Sequence, residues 1–201
     1  MRRLAEPVRL DCLHDHLAGH LAAAHAMAAV LPAVREVAEM LCQRFAAGGH
    51  VYTFGNGGSA ADAQHFTGEL IGHYKRSRRA LPAVTLSTDP TVMTCIANDY
   101  DYADVFARQI SALARPTDVV AAFTTSGRSA NVVTGLKAAR AAGATTVLFS
   151  ANGGGPAAAY ADYLLPSPSD QVPRVQEMHA LMLHMISDHV DAWAAREDEA
   201  R

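Results

Sequence analysis

The sequence predicts a single α/β domain with a mostly parallel, doubly wound five-stranded sheet flanked by helices. Short apolar runs alternate along the chain with longer helical stretches, which is the order that produces parallel strands joined by helices. The chain has 201 residues, of which 50% are hydrophobic, so it is long enough for one sizeable core. We therefore predict one domain over residues 1–201, with an N-terminal helical extension over 1–47 and an α/β core over 48–195.

Each element follows from a local signal. Two helices come first, because Pro32 is typical of a helix start and Gly48-Gly49 ends the helical pattern. The later apolar runs are short enough for strands, and the stretches between them have helical periodicity. Strands are predicted near residues 50–54, 83–87, 118–123, 144–149 and 162–165. Helices are predicted near residues 4–30, 32–47, 59–74, 90–113, 129–142, 155–160 and 173–195.

The charge pattern argues against a nucleic-acid partner. The net charge is −3, without the basic excess that a nucleic-acid surface requires. The only dense basic cluster is the segment Lys75-Arg76-Ser77-Arg78-Arg79. We interpret this segment as a solvated helix end, with attraction of an anionic substrate as the alternative.

Neither a membrane span nor a disulfide framework is expected. The most apolar stretch, residues 21–34, contains His25 and Pro32 and is too short to cross a bilayer. The three cysteines form no Cys-x-x-Cys pair and lie in apolar or helical surroundings. We therefore expect reduced core or near-core thiols, a cytoplasmic location and no membrane partner.

A glycine-rich loop follows the first predicted strand, with the sequence Gly55-Asn56-Gly57-Gly58-Ser59. Glycines permit positive φ angles and close approach of backbone N–H groups to a ligand, and Ser59 can cap the next helix. A helix N-terminus favours an anion such as phosphate. The spacing matches neither a P-loop nor a dinucleotide fingerprint, so a nucleotide is not expected. The alternative is a turn without a ligand.

A second strand, loop and helix unit carries the loop Thr124-Thr125-Ser126-Gly127-Arg128-Ser129. Its four hydroxyl side chains can surround a phosphate, and the following helix directs its N-terminus towards the same place. A hydroxyl turn with a capping serine accounts for one or two of these side chains, but hardly for all four.

Histidines supply the candidate chemistry. His65 and Glu69 are four residues apart on a predicted helix, directly after the glycine loop, which indicates chemistry on a phosphorylated substrate. His179 and His189 are interpreted as satisfied packing residues of the last helix. The group His14, His16 and His20 lacks a carboxylate or cysteine partner, so we interpret it as a solvated or interfacial face.

Seven motifs in order along nearly the whole chain resemble a known family. They are Gly55-Asn56-Gly57-Gly58-Ser59, Gln64-His65-Phe66-x-x-Glu69-Leu70, Ser87-Thr88-Asp89, Ala97-Asn98-Asp99-Tyr100, Phe106-Ala107-Arg108-Gln109, Thr125-Ser126-Gly127-Arg128-Ser129-Ala130-Asn131 and Arg174-Val175-Gln176-Glu177-x-His179. Together they resemble the phosphoheptose isomerase branch of the sugar isomerase (SIS) domain family. The resemblance implies an SIS-type fold, a sedoheptulose 7-phosphate isomerase activity and a homotetramer with active sites at subunit contacts.

The resemblance also implies roles for particular residues. Glu69 and His184 match the pair that transfers protons in the family. Residues matching zinc ligands are His65, Glu69, Gln176 and His184. Residues matching substrate-binding positions are Asn56, Gly57, Gly58, Ser59, Glu69, Asn98, Asp99, Thr124, Thr125, Ser126, Ser129 and Gln176. Thr124 stands where serine is frequent in the family, and this change retains the hydroxyl.

The implied residue types suit the implied reaction. Converting a ketose phosphate to an aldose phosphate needs a base, an acid and stabilisation of an enediolate. A zinc ion could stabilise the enediolate. Gln176 and His184 are separated by about 12 Å of helix rise, so both side chains would have to be nearly extended to reach one metal ion. The site would then draw on two subunits, or the last helix would begin after Gln176.

A non-catalytic protein is the rival interpretation. SIS domains also act as sugar-phosphate sensors or protein-binding modules, and the replication-initiator-associating type is similar to phosphoheptose isomerases throughout its length. That type lacks the equivalents of Glu69 and His184. Both residues are present in this chain, which favours the enzyme.

Overall fold

The computed structural model describes residues 11–200, and its centre is a five-stranded parallel sheet. The strand order is β2-β1-β3-β4-β5, and Val51 of β1 lies opposite both Ala83 of β2 and Val119 of β3. The strands are β1 (Val51–Gly55), β2 (Ala83–Thr85), β3 (Val119–Phe123), β4 (Thr145–Ala151) and β5 (Tyr163–Ser167). The helices are α1 (Asp11–Ala26), α2 (Leu31–Ala46), α3 (Gly58–Ile71), α4 (Pro90–Asp99), α5 (Ala107–Leu113), α6 (Ala130–Ala141) and α7 (Val172–Glu199). The predicted α/β class is confirmed.

Two apolar cores cover the two faces of the sheet. Side chains alternate along each strand, so Ala121 and Phe123 of β3 face one core while Val120 and Ala122 face the other. Helices α1, α2, α3 and α7 pack on the first face, and α5 and α6 pack on the second. Residues of the N-terminal helices therefore share a core with the sheet. The predicted division of the domain at residue 47 stays a prediction.

The strand order places a topological switch between β1 and β3. From β1 the chain crosses through α3 to β2 on one side, and β3 then pairs on the other side of β1. Ligands of open α/β sheets bind beyond the carboxyl ends of the strands at such a point. The glycine loop leaves β1 there and the hydroxyl loop leaves β3 there, so the fold brings both loops together.

Several predicted boundaries are wrong. The predicted helix 90–113 is broken into α4, a 3-10 turn at Tyr102–Asp104 and α5, because the Asp101 carboxylate accepts a hydrogen bond from the Ala103 N–H at 2.7 Å and caps the turn. The predicted helix 155–160 has the predicted bounds, Gly155–Tyr160, but it is a 3-10 helix. The predicted first helix is α1 followed by a 3-10 turn at Met27–Ala29, and its residues 4–10 lie outside the described part. Helix α7 continues past residue 195 to Glu199.

The basic segment 75–79 is not a solvated helix end. It follows the end of α3 at Ile71, and its charged side chains pair with acids of α7. The Arg78 guanidinium meets the Asp191 carboxylate at 2.8 Å, and these two side chains are only 1% and 0% exposed. Burial opposes ionisation of Asp191, but hydrogen bonds from the backbone N–H groups of Arg76 and Lys75 and from Arg78 outweigh it and lower its pKa.

Asp191→Asn should destabilise the fold strongly. The substitution leaves the Arg78 charge buried without a counter-ion, so we expect the free energy of unfolding to fall by about 3–5 kcal/mol in urea titrations. Asp188→Asn is the matched control on the same helix, because Asp188 pairs with Lys75 and Arg76 at 42% exposure. In Asp188→Asn the free energy of unfolding should fall by less than about 1 kcal/mol.

The same variant has a predictable pH dependence. Since folding lowers the pKa of Asp191, its stabilisation is present at neutral pH and disappears as the pH falls below the ordinary aspartate value of about 4. The stability difference between the unmodified protein and Asp191→Asn should therefore narrow in acid. Equal destabilisation by Asp191→Asn and Asp188→Asn at neutral pH would contradict this account.

The cysteines differ in exposure. All three cysteines are free, but only Cys42 is buried, which raises its pKa to about 11. The prediction of core thiols is wrong for Cys12 and Cys95, which are exposed.

Within residues 11–200 no single helix has the length and hydropathy to span a membrane. One bent pair of helices, Cys12–Ala29 and Leu31–Ala46, meets both criteria when the two are taken together.

Candidate active site

A polar cavity of about 70 Å³ opens at the switch point of the sheet. Its volume exceeds the roughly 10–15 Å³ that one water molecule needs. Residues from the glycine loop, the end of β3 and the hydroxyl loop line it: Asn56, Ser59, Phe123, Thr124, Thr125, Ser126 and Ser129. The two loops that the sequence indicates as anion cradles therefore form one site.

The backbone of the glycine loop needs glycine at position 57, and Gly58 lies directly against the Gln176 side chain. Gly57 caps α3 with a φ of +56°, a conformation that other residues rarely adopt. A Cβ on Gly58 would lie 2.3 Å from Nε2 of Gln176. The prediction that Ser59 caps α3 is wrong, because Gly57 does so and Ser59 lies in the first helical turn. The Ser59 side chain is buried and lines the cavity.

The hydroxyl loop is held by two of its own side chains. The Gly127 N–H donates to Oγ1 of Thr124 at 3.1 Å, and the Arg128 N–H donates to Oγ of Ser126 at 3.2 Å. Each of these hydroxyls accepts a bond and keeps its own hydrogen, which it can donate to a phosphate oxygen. Gly127 has a φ of +63°, so a side chain at this position would strain the loop.

A pair of amides connects the two loops. Asn56 and Asn131 exchange two hydrogen bonds of 2.9 Å, and Asn131 is almost fully buried at the start of α6. The Tyr102 hydroxyl donates to Oδ1 of Asn56 at 3.2 Å. Sequence reasoning assigned no role to Asn131 or Tyr102. The signals for Asn131 were its position two residues after Ser129 and its place in the motif Thr125-Ser126-Gly127-Arg128-Ser129-Ala130-Asn131.

Three side chains form a candidate metal centre beside α3. Nε2 of His65 lies 3.1 Å from Oε1 of Glu69 and 3.3 Å from Nε2 of His184. Across residues 11–200, this is the single place where three such ligand atoms lie within 4.8 Å of one another. Nitrogen and oxygen ligands about 2.0–2.1 Å from a tetrahedral centre are separated by roughly 3.3 Å, so these two distances fit a tetrahedral ion.

The protonation of His184 fits a ligand role. Burial lowers the pKa of its imidazole, the nearby His65 lowers it further, and Lys75 does the same, while Glu69 acts in the opposite direction. The ring is therefore neutral at pH 7 and has one nitrogen lone pair available. Such a lone pair can bind a metal ion or accept a proton from a substrate hydroxyl.

Helices α3 and α7 run side by side in the same direction. Gln176 meets Gly58, His179 lies near Asp62, and His184 meets His65, in the same order along both helices. Helix α7 begins at Val172, so the alternative that it begins after Gln176 is wrong. Within one chain, Gln176 lies beside the glycine loop, about 12 Å of helix rise from His184. Its metal-ligand role stays a prediction.

Two other assigned residues lie away from the cavity. Asn98 and Asp99 are exposed at the end of α4, where the Asn98 amide donates to Oδ1 of Asp99 at 2.7 Å. Neither residue lines the polar cavity of this chain. Their substrate-binding role stays a prediction.

The remaining histidines differ in their environments. His179 is fully buried between Phe123 and Phe149, but its ring nitrogens have no hydrogen-bond partner among the described residues, so it is a packing residue without being satisfied. The packing prediction is wrong for His189, which is exposed. His20 of the N-terminal group pairs with Glu177 at 2.8 Å.

Comparison with known proteins agrees with the geometry. The family model described as the SIS domain matches residues 21–150. The phosphoheptose isomerase of Paramagnetospirillum magneticum is 46% identical over 187 residues, which are 91% of this chain and 96% of that protein. The chain belongs to the phosphoheptose isomerase family. The prediction of this family from seven motifs is confirmed.

Solved structures of phosphoheptose isomerases share the fold. The protein from Francisella tularensis has a TM-score of 0.89 at 30% identity, covering 92% of this chain and 100% of that chain. The protein from Neisseria gonorrhoeae has a TM-score of 0.85 at 36% identity, covering 90% and 98%. The SIS-type architecture of this phosphoheptose isomerase family member is therefore confirmed over nearly its whole length.

Proposed function

We propose that Glu69 and His184 are the acid/base pair with which this chain converts sedoheptulose 7-phosphate to D-glycero-D-manno-heptose 7-phosphate through an enediolate. The reaction is an aldose-ketose isomerisation, and the chain is an isomerase by its family. The observation that carries the proposal is a hydroxyl-lined cavity at the start of α3, followed along that helix by His65 and Glu69, which cluster with His184 of α7.

The spacing of the two features suits a long open-chain substrate. Helix α3 begins at the cavity and reaches His65 seven residues after Gly58, a rise of about 10 Å. A heptose with a phosphate on C7 has its reacting carbons, C1 and C2, far from the phosphate. Phosphate binding in the cavity would then orient C1 and C2 towards Glu69 and supply binding energy for that orientation.

Each proton has an assigned group. The Glu69 carboxylate removes a proton from C1 of the ketose, which leaves an enediolate across C1 and C2. His184, neutral at pH 7, moves a proton between the two substrate oxygens. Glu69 then returns a proton to C2, which completes the aldose. The glutamate has two carboxylate oxygens, so Oε2 can face the substrate while Oε1 faces His65.

The proposal includes a zinc ion held by His65, Glu69 and His184. The nitrogen and oxygen donor set and the separations of 3.1 and 3.3 Å fit zinc. When bound, the ion would polarise the substrate carbonyl and stabilise negative charge on the enediolate oxygens. Gln176 completes the proposed ligand set if a second subunit supplies it.

Other parts of the proposal extend beyond the single chain. The polar residues that line the cavity are assigned to substrate binding, together with Gly57, Gly58, Glu69, Gln176, Asn98 and Asp99. In a homotetramer with active sites at subunit contacts, residues that lie far from the cavity of their own chain would reach the cavity of the neighbouring subunit. A cytoplasmic location is supported by three free cysteines, because oxidising compartments favour disulfides.

The proposed reaction predicts a requirement for the substrate phosphate. We expect purified protein to convert sedoheptulose 7-phosphate but not sedoheptulose, because only the phosphate can use the hydroxyls of Thr124, Ser126 and their neighbours. NMR detection of aldose products over a panel of ketose phosphates measures this. Comparable rates on the two sugars would refute the assignment of the cavity.

A variant of the hydroxyl loop separates binding from chemistry. Ser126→Ala removes one donor to a charged group, so KM should rise by roughly tenfold or more while kcat changes little. Ser111→Ala is the matched control, because the Ser111 hydroxyl is exposed and bonds its own helix at Ala107. Loss of kcat with unchanged KM in Ser126→Ala would contradict the phosphate-binding role.

A further inference from the structure

Tyr74 lies against the ring of His184, although it belongs to neither loop of the cavity. The two ring centroids are 5.3 Å apart and the planes differ by 20°, which is a stacked arrangement. The His184 and His65 rings form a T-shaped pair, with centroids 4.9 Å apart and planes at 78°. The His184 imidazole is therefore stacked on Tyr74 with an offset between the ring centres, and it lies at a steep angle to His65.

The segment that carries Tyr74 is anchored to α7 by one buried carboxylate. Oδ2 of Asp191 accepts hydrogen bonds from the backbone N–H groups of Tyr74, Lys75 and Arg76 at 3.1, 2.6 and 2.9 Å. Oδ1 of Asp191 accepts from Nε of Arg78 at 2.8 Å. Both oxygens are thus used to hold this segment in place.

Arg78 joins the same anchor to the end of α3. Its guanidinium also donates to the backbone carbonyls of Leu70 and Glu69, at 2.7 and 2.6 Å. The segment is consequently attached both to the helix that carries Glu69 and to the helix that carries His184. Asp191 lies seven residues after His184, about two helical turns along α7.

The ring of His184 needs such a support. The last torsion of a histidine side chain is broad and roughly two-fold, so the rotamer by itself does not set the ring plane. Proton transfer and metal binding both depend on where the nitrogen lone pair points, and a misplacement of about 1 Å can cost 10²-fold in rate. A flat neighbour at stacking distance restricts rotation about that torsion.

We propose that Tyr74 is a positioning residue that holds the ring plane of His184, and that Asp191 holds Tyr74 in place through the backbone of residues 74–76. This inference rests on the role of His184 in the proposed function. It assigns a task to a tyrosine that does not line the cavity, and to a buried ion pair outside the site.

Two substitutions at position 74 and one elsewhere test the proposal. Tyr74→Leu removes the stacking ring, and Tyr74→Phe retains it. Tyr160→Leu is the matched control, because Tyr160 is also partly buried beneath a lysine, with Nζ of Lys137 at 5.0 Å compared with Nζ of Lys75 at 4.8 Å over Tyr74. All three variants should fold, since neither tyrosine is fully buried.

Two measurements are made on each variant. One is kcat and KM on sedoheptulose 7-phosphate. The other is the order parameter of the His184 ring in metal-free protein labelled with ¹³C at Cε1 of histidine, with the signal assigned from its loss in His184→Gln. The second readout does not depend on turnover or on a bound metal.

We expect Tyr74→Leu to lower kcat about tenfold or more, with KM little changed, and to lower the His184 order parameter. Tyr74→Phe and Tyr160→Leu should match the unmodified protein in both. A fall in only one of the two quantities, or equal effects of Tyr74→Leu and Tyr160→Leu, overturns the proposal. An inactive unmodified protein would refute the proposed function instead, and the order parameters then still decide whether Tyr74 holds the ring.

Discussion

Glu69→Gln leaves the protein folded and lowers exchange of the substrate C1 hydrogen with solvent by about 10²-fold or more. The amide retains the size of the carboxylate but cannot accept a proton from carbon. Exchange measured by NMR in deuterated buffer reports this step directly. Substrate affinity should change less, because the proposed phosphate site lies at the other end of α3, with some loss if metal binding is disturbed.

Controls separate this effect from a general loss of charge. Glu36→Gln makes the same chemical change at an exposed site on α2 and should leave exchange unaltered. His184→Gln should also impair turnover, since it removes the proposed proton carrier. The rival, a non-catalytic binding module, predicts no isomerisation by the unmodified protein and ligand binding that neither Glu69→Gln nor His184→Gln alters.

Retention of most activity in Glu69→Gln would make another carboxylate the base. Asp99 and Glu177 are the first candidates. The structure shows Glu177 bonded to both His20 and Arg174, so both of its carboxylate oxygens already have partners. Asp99 accepts from the Asn98 amide at an exposed helix end and would have to act on a substrate held elsewhere.

Removal of metal should abolish turnover, and zinc should restore it. If His65, Glu69 and His184 share an ion, dialysis against a chelator takes away the stabilisation of the enediolate, and activity should return as zinc is added. His65→Ala should lose metal, measured by elemental analysis, and remain folded, because the His65 side chain is 42% exposed. Thermal unfolding followed by circular dichroism checks the fold.

His73→Ala is the matched control for the metal prediction. His73 is exposed and close in sequence to Glu69, but it does not belong to the ligand cluster. The His73→Ala substitution should change neither the metal content nor the rate of metal-dependent turnover. Full activity of the unmodified protein after complete removal of metal would leave Glu69 and His184 as an acid/base pair without zinc.

Local sequence signals were sufficient for most of the fold. The five strands, the glycine loop and the start of α3 are encoded within a few consecutive residues, so periodicity and turn chemistry predicted them. The i, i+4 spacing of His65 and Glu69 likewise places both on one helix face. Where these rules failed, as in the broken helix 90–113, a single capping carboxylate at Asp101 outweighed the apolar pattern.

Local sequence signals could not predict that α3 and α7 pack side by side. His184 is 119 residues from His65, and Asp191 is 113 residues from Arg78. No pattern within a helix states which other helix packs beside it or in which register. The resemblance to phosphoheptose isomerases supplied His184 as a candidate, but the stacking of Tyr74 and the amide pair of Asn56 with Asn131 appeared only in the structure.

The sequence by itself thus determined the alternation of strands and helices, the two candidate anion-binding loops and the His65 and Glu69 pair on one helix face. Tertiary structure alone decided that these loops share a cavity, that α7 brings His184 to His65, and that Tyr74 and Asp191 support it. The physical reason is the range of the interactions. Backbone hydrogen bonds and side-chain periodicity act over a few residues, whereas packing of helices on a sheet joins groups more than a hundred residues apart.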